Sequence, residues 1–134
     1  MSLFHLLAYI IIATKQPVIE TDPITPITNS FRQAYGCKKV TENTDLMRAA
    51  QARADQLYTT GNFSHEGCWE TIKPIYKYVA AGENLAEGFF VNEKAVVAWM
   101  KSPKHRENIV NCQYREIGIG RRGPYIVQLF GRRW

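Results

Sequence analysis

Apolar residues recur along this chain at two periods, and the change of period predicts its architecture. Ile27, Phe31, Ala34 and Tyr35 follow helical spacing, and Gly36 stops the run. A stronger helix is predicted over residues 44–60. Thr44 can cap it, Leu46, Met47, Ala50, Ala54, Leu57 and Tyr58 form its apolar stripe, and Gly61 ends it. Trp69 to Tyr78 reads as a short helix interrupted by Pro74. Asn92 is a suitable N-cap for a helix from Glu93 to Lys101, with Ala95, Val96, Trp99 and Met100 facing inward. Ser102-Pro103 breaks that helix and starts a shorter one containing His105.

The period then changes to two. Arg115, Ile117 and Ile119, and later Tyr125, Val127 and Leu129, alternate with other residues around an Arg122-Gly123-Pro124 turn. Helices followed by a terminal hairpin predict an α+β fold, with helices packed on a small antiparallel sheet. No internal repeat or low-complexity segment interrupts this order.

The N-terminal stretch is different. Residues 3–13 are uncharged and apolar, too few to span a bilayer, which takes about 20 residues. Length and position suit the apolar core of a secretory signal over residues 1–14, although no Lys or Arg precedes it. A buried N-terminal strand or helix is the structural alternative. Residues 15–26 are polar, contain Pro17, Pro23 and Pro26, and read as a linker, which leaves 27–134 as the domain.

Composition fits one domain with a modest core: 134 residues, 46% of them apolar and 22% charged. The net charge is +5, and Arg121, Arg122, Arg132 and Arg133 fall in a C-terminal stretch without acids. Such a patch can bind nucleic acid, anionic lipid or an acidic wall polymer, or can be the solvated edges of a hairpin. No nucleic-acid-binding motif accompanies it, which sets nucleic acid aside.

Three cysteines cannot all pair within one chain. Cys37 and Cys112 each follow a predicted helix end, where a cross-link is easily accommodated. Their bond would close a loop of about 75 residues, worth about 4 kcal/mol in the chain-entropy model. Cys37–Cys68 and Cys68–Cys112 remain open on these grounds.

Candidate chemistry rests on few groups. His65 and His105 each follow a break in regular structure, and Glu83 lies in a glycine-flanked segment read as a turn. Two histidines and a carboxylate suit a metal or acid–base site, yet there is no His-Glu-x-x-His and no Cys-x-x-Cys. Local hydrogen bonding by each histidine is the structural alternative. Glu87, Glu107 and Glu116 are further carboxylates; Glu107 points away from His105 on a helix. Glu116 lies opposite Ile117 and Ile119 on a strand. His65 and Cys68 are close enough for a Cys–His pair or two zinc ligands, but no local residue orients them for thiol catalysis.

Four motifs now stand in order: Phe63-Ser64-His65, Gly82-Glu83-Asn84-Leu85-Ala86-Glu87-Gly88, the run from Trp99 to Ile109, and Ile117-Gly118-Ile119-Gly120. This order resembles the CAP superfamily of cysteine-rich secretory proteins, venom allergens and plant pathogenesis-related proteins, whose domain is also called SCP. The pattern looks most like the short bacterial-type members, and Tyr125 to Gly131 is similar to their final strand. The resemblance covers roughly residues 27–131.

It implies a three-layer α-β-α sandwich, usually secreted. It also implies a cleft lined by two histidines and two acids, which binds a divalent metal such as zinc in some members. His65, Glu83 and His105 match three of these positions, while the place of the fourth acid corresponds to Ser102. The resemblance further implies a Cys37–Cys112 pair, with Cys68 as the odd thiol, and a compact stretch from Gly67 to Ala81.

Similar members bind sterols or fatty acids, and no common reaction defines the family. Three functions follow as expectations. The first is a secreted binding module with a metal-holding cleft and an apolar surface for lipid or sterol. The second is a metal-assisted hydrolase or peptidase in which Glu83 serves as base. The third is a basic cell-surface or wall adhesion protein that uses the arginine-rich tail.

Overall fold

The computed structural model describes residues 20–88 and 91–134; the expected signal segment lies outside them. The chain forms α1 (Ile24–Ala34), β1 (Thr41–Glu42), α2 (Thr44–Thr60), α3 (Cys68–Ile72), β2 (Ala80–Glu87), α4 (Asn92–Lys101), α5 (Pro103–Ile109), β3 (Glu116–Arg122) and β4 (Tyr125–Arg132). The strands make one sheet in the order β1-β3-β4-β2. β3–β4 and β4–β2 pair antiparallel, whereas β1 pairs parallel with β3. The sheet is therefore mixed at one edge rather than wholly antiparallel.

Helices cover both faces of the sheet. On one, α1 and α4 bury Ile24, Val96 and Trp99 against Ile117, Ile119 and Phe130. On the other, α2 and α3 bury Leu46, Ala50, Leu57 and Ile72 against Leu85, Val127 and Leu129. This is the three-layer α-β-α sandwich.

The alternation in β3 explains how close the layers lie. Ile117 and Ile119 fill the α1/α4 side. Gly118 and Gly120 face α2, where an added Cβ would stand 2.2 Å from the Leu46 and Ala50 carbonyl oxygens respectively. The helix backbone rests directly on the strand because these positions carry no side chain.

Several element ends differ from the sequence reading. α1 starts at Ile24, so the last residues of the expected linker are its first turn. Pro23 and Pro26 are tolerated there because the first helical N–H groups have no intrahelical acceptor. Asn43, not Thr44, caps α2: its side chain accepts from Leu46 N, while Gly61 closes the helix at φ 66° as expected. Asn92 caps nothing, because its Oδ1 accepts from Arg121 Nη2 at 2.7 Å and it is already helical. The Trp69–Tyr78 helix is shorter and starts earlier, at Cys68–Ile72.

The largest difference is β2. The expected turn at Glu83 is an eight-residue strand paired along its length with β4. Its polar residues are buried on both faces, so the sequence shows no polar–apolar alternation. The edge is closed by side chains: the Glu83 carbonyl accepts from Asn108 Nδ2 at 3.0 Å and the Leu85 carbonyl from Trp99 Nε1 at 2.9 Å. At the opposite edge Asn29 pairs with both backbone groups of Val40, at 2.8 and 3.0 Å. These amides and the indole remove strand groups that could otherwise recruit another chain.

Cys37 and Cys112 form a disulfide that closes 75 residues, and Cys68 is the unpaired, buried cysteine. Beside the disulfide, fully buried Arg32 donates to the carbonyls of Lys38, Ile109, Asn111 and Tyr114 at 2.8–3.1 Å. The loops carrying both cysteines are thus held by one guanidinium as well as by the covalent bond.

Candidate functional site

The site begins with an arginine on the buried side of α2. Arg53 lies on the same stripe as Ala49, Ala50, Ala54 and Leu57, where a charge needs a partner. It finds Glu83 on β2: Nε to Oε2 is 2.8 Å and Nη2 to Oε1 is 3.2 Å. Both side chains are 1% exposed. The remaining Arg53 donors reach the Ser64 and Glu66 carbonyls and Gln56 Oε1, which shapes the loop after α2.

That loop carries His65. Its Nδ1 lies 2.8 Å from Glu83 Oε1, and the opposite side of the ring is directed away from the carboxylate. The side chain is 62% exposed. Glu83 is therefore shared between a guanidinium and an imidazole, and it fixes the orientation of His65.

His105 arrives from the first turn of α5, which Ser102-Pro103 starts in a new direction. A buried amide network fixes that helix. Asn84 Nδ2 donates to the His105 carbonyl at 3.1 Å and to Gln128 Oε1 at 3.0 Å. Asn108 donates to Asn84 Oδ1 at 2.9 Å, and Gln128 donates to Thr28 at 2.9 Å. The His105 ring has no hydrogen-bond partner among the described residues. Burial, with the neighbouring His65 adding, lowers its pKa below the ordinary histidine value.

His65, Glu83 and His105 line one cavity of about 460 Å3, together with Ser102, Pro103, Lys104 and Asn108. The three sequence candidates thus come together, and Ser102 places a hydroxyl in the same wall. Their donor chemistry is unequal. Both Glu83 oxygens already accept hydrogen bonds, whereas His105 and the far side of His65 are uncommitted. Among the described residues no group of three or more His, Cys, Asp and Glu side chains is placed to hold a metal ion. A metal in this cleft would meet two imidazoles, with Glu83 standing behind His65 as its carboxylate partner.

Cys68 does not join this chemistry. It is 1% exposed. Burial first, and then the Glu83 carboxylate, push its thiol pKa up, which disfavours the reactive thiolate. Glu87 and Glu107 are absent from the cavity wall, and Glu116 binds Tyr76, Asn43 and Arg133 elsewhere.

The sequence reading missed Arg53, Asn84, Asn108 and Gln128. A signal for Arg53 existed, since it is a charge within the apolar stripe of a strong helix. The amides carried no such signal: Asn84 was read within a turn, Asn108 within the short helix of His105, and Gln128 as one of the residues alternating with Val127 and Leu129.

The arginine-rich tail is largely paired. Arg121 binds Asp22, Arg122 lies 3.3 Å from Asp55 and 4.7 Å above the Tyr58 ring, and Arg133 binds Glu116. The acids absent from the tail are supplied from distant parts of the chain.

A family model described as the cysteine-rich secretory protein family, CAP, matches residues 27–123. The uncharacterized protein YkwD of Bacillus subtilis is 32% identical over 103 residues, covering 72% of this chain and 40% of that protein. The uncharacterized membrane protein YlbC of the same organism is 26% identical, over 83% of this chain and 34% of that protein. The chain thus spans well under half the length of these curated relatives.

Solved structures agree in fold. An extracellular SCP-domain protein of Bacillus anthracis superposes with TM-score 0.78 at 22% identity, over 82% of this chain and 39% of that one. An outer surface protein of Borrelia burgdorferi gives 0.75 at 24% identity, over 87% of this chain and 97% of that one. No helix among the described residues is long and apolar enough to cross a membrane. The family model matched over residues 27–123 and the sandwich lead to one conclusion: the chain belongs to the CAP family of cysteine-rich secretory proteins.

Proposed function

We propose that this chain is a secreted binding module whose recognition site is the cleft between His65 and His105. One observation carries the reading: Glu83 is held by Arg53 and His65, which leaves imidazole nitrogens as the cleft's uncommitted donors. The cleft then accepts ligands through two histidines and the Ser102 hydroxyl. The extracellular and outer-surface neighbours support export as part of the same reading.

A divalent metal such as zinc is held in this reading by His65 and His105, with Glu83 as orienter. Two protein ligands are fewer than the three of catalytic zinc sites or the four of structural ones, so these residues would hold a metal only weakly. When bound, it would supply Lewis acidity and a coordination position for an external ligand. The hydrolase alternative requires Glu83 to act as base toward water, a role for which its two oxygens are already engaged. Lipid or sterol binding has a separate candidate surface, a groove along α4 where Val91, Val97 and Ala98 lie among the charged Glu93, Lys94 and Lys101.

Calorimetric titration of zinc into wild type and His105→Ala tests the cleft. Weak, saturable heat that disappears in the variant is expected. Zinc binding of equal strength in both proteins would overturn the two-histidine site, and no heat in wild type would remove the metal.

A further inference from the structure

Strand β3 runs on past the end of β1, and side chains of α2 close the edge left over. Asn43 N donates to the Ile117 carbonyl at 3.2 Å, the last rung of the β1–β3 pairing. A longer β1 would next offer the Asn43 carbonyl to the Ile119 N–H. Met47 N takes that carbonyl instead, at 2.8 Å, because α2 begins there. The Ile119 N–H donates to the Met47 thioether sulfur at 3.2 Å. One helical turn on, Gln51 Oε1 accepts from Arg121 N at 3.2 Å and Gln51 Nε2 donates to the Arg121 carbonyl at 2.9 Å. A further turn on, Asp55 lies 3.3 Å from Arg122. Four helical residues advance about 6 Å and two strand residues about 6.6 Å, so the register holds. Met47 and Gln51 thus cover backbone groups that an added strand would pair with.

Met47 differs from the other two in chemistry. Amides and carboxylates resist mild oxidants, whereas a thioether takes up oxygen. A thioether is also the weakest acceptor of the three. Met47 is half-buried and lines a groove of about 460 Å3 with Glu20, Asp22, Glu42, Asn43 and Thr44. Met100, by contrast, is 8% exposed and packed in the core. The acids of the groove favour a neutral oxidant over an anionic one such as hypochlorite.

We infer that Met47 is a modification site for neutral peroxides, and that its oxidation to the sulfoxide uncaps Ile119 and loosens α2 from the β3 edge. One sulfur lone pair accepts from Ile119, and the other attacks a peroxide oxygen. The S–O bond forms as the O–O bond breaks. The departing hydroxide takes the proton of the transferred oxygen and leaves as water. Sulfur loses two electrons and the peroxide gains them. A nitrogen–sulfur distance of 3.2 Å leaves no room for an oxygen between the two, so the sulfur retreats from the strand. Met47 also packs against the cluster holding Ile117 and Ile119, where a polar sulfoxide is unfavourable. None of the residues lining the histidine cleft lines this groove, so the two sites are independent.

Hydrogen peroxide treatment of the full chain, followed by peptide mass mapping and amide hydrogen exchange, tests the assignment. One oxygen should appear on Met47 before Met100 is modified. Exchange at the Ile119 amide should then quicken at least roughly tenfold, equivalent to about 1.4 kcal/mol of lost protection. The Arg121 amide, capped by Gln51, should keep its rate. Treatment with methionine sulfoxide reductase should restore slow exchange at Ile119. Met47→Gln, which supplies an oxidation-resistant acceptor, should keep Ile119 slow with and without peroxide. Met47→Leu, which has no acceptor, should exchange fast in both conditions. Oxidation of Met100 first, an Ile119 amide that stays slow once Met47 is oxidised, or an equal rise at Arg121 would each overturn the proposal.

Discussion

Arg53 and Glu83 form a two-point ion pair inside the sandwich, at 2.8 and 3.2 Å, with both side chains 1% exposed. The pair joins α2 to β2 and sets the histidine loop through the Arg53 contacts to Ser64 and Glu66. Removing one partner strands a buried charge, which typically costs about 3–5 kcal/mol. Arg53→Met should lose stability in that range in denaturant unfolding, and Arg53→Met/Glu83→Leu should recover part of it. A loss below about 1 kcal/mol for the single variant would show that the pair behaves like a surface bridge.

His105 supplies a pH dependence with a definite sign. Its folded-state pKa is lowered by burial and by His65. The unfolded chain therefore takes up a proton first as pH falls, so this residue's contribution is complete above the unfolded value, about 6.5. The contribution is lost as pH falls through the folded value. An NMR titration should place the His105 midpoint below that of an unfolded peptide, and His65→Ala should move it upward. A midpoint at or above about 6.5 would contradict the burial argument.

The disulfide and Arg32 act on the same pair of loops. Cys37→Ser/Cys112→Ser removes a cross-link closing 75 residues, worth about 4 kcal/mol in the chain-entropy model. The reduced protein should unfold at lower denaturant yet keep its native near-UV spectrum, because Arg32 still bridges four carbonyls. Arg32→Met removes a fully buried side chain and leaves the buried Ile109 and Tyr114 carbonyls without that donor, at about 1–3 kcal/mol for each unsatisfied group. It should therefore be the more damaging change even with the disulfide intact. A smaller loss for Arg32→Met than for the cysteine pair would reverse this ranking.

Gly118 and Gly120 set the spacing of α2 on β3. Alanine at either place would put Cβ 2.2 Å from a helix carbonyl oxygen. Each substitution should cost about 1–3 kcal/mol or more, as overpacking does. Gly36→Ala is the contrast: its Cβ would meet nothing within 4 Å, although φ of 82° still strains a side chain there. Thermal unfolding of the three variants should rank both strand glycines as more sensitive.

The α2 stripe was legible because its other face meets solvent, and the Ser102-Pro103 break because proline interrupts a helix. The β3–β4 hairpin was legible although both its faces are covered, because Ile117 and Ile119 alternate with glycines ahead of an Arg122-Gly123-Pro124 turn. β2 was hidden because polar Glu83 and Asn84 are buried on its two faces, which leaves no such alternation. Its buried Glu83 and Asn84 are satisfied by Arg53, His65 and Asn108, residues far away in sequence. The same long-range pairing concealed the neutralisation of the tail by Asp22, Asp55 and Glu116. His65, Glu83 and His105 became a set only through the order of the four motifs, since spacing alone could not place them in one cleft. Their division of labour required Arg53, which turns Glu83 from an apparent ligand into an orienting group.

The central claim is that His65 and His105 face the ligand while Glu83 remains with Arg53. Nitrogen-15 NMR of the histidine rings during zinc titration tests it most directly. The far nitrogen of His65, Nε2, and one ring nitrogen of His105 should take up the metal-bound shift, while His65 Nδ1 keeps its proton toward Glu83. Zinc-induced loss of that Nδ1 proton, or a titration that moves neither imidazole, would contradict the account.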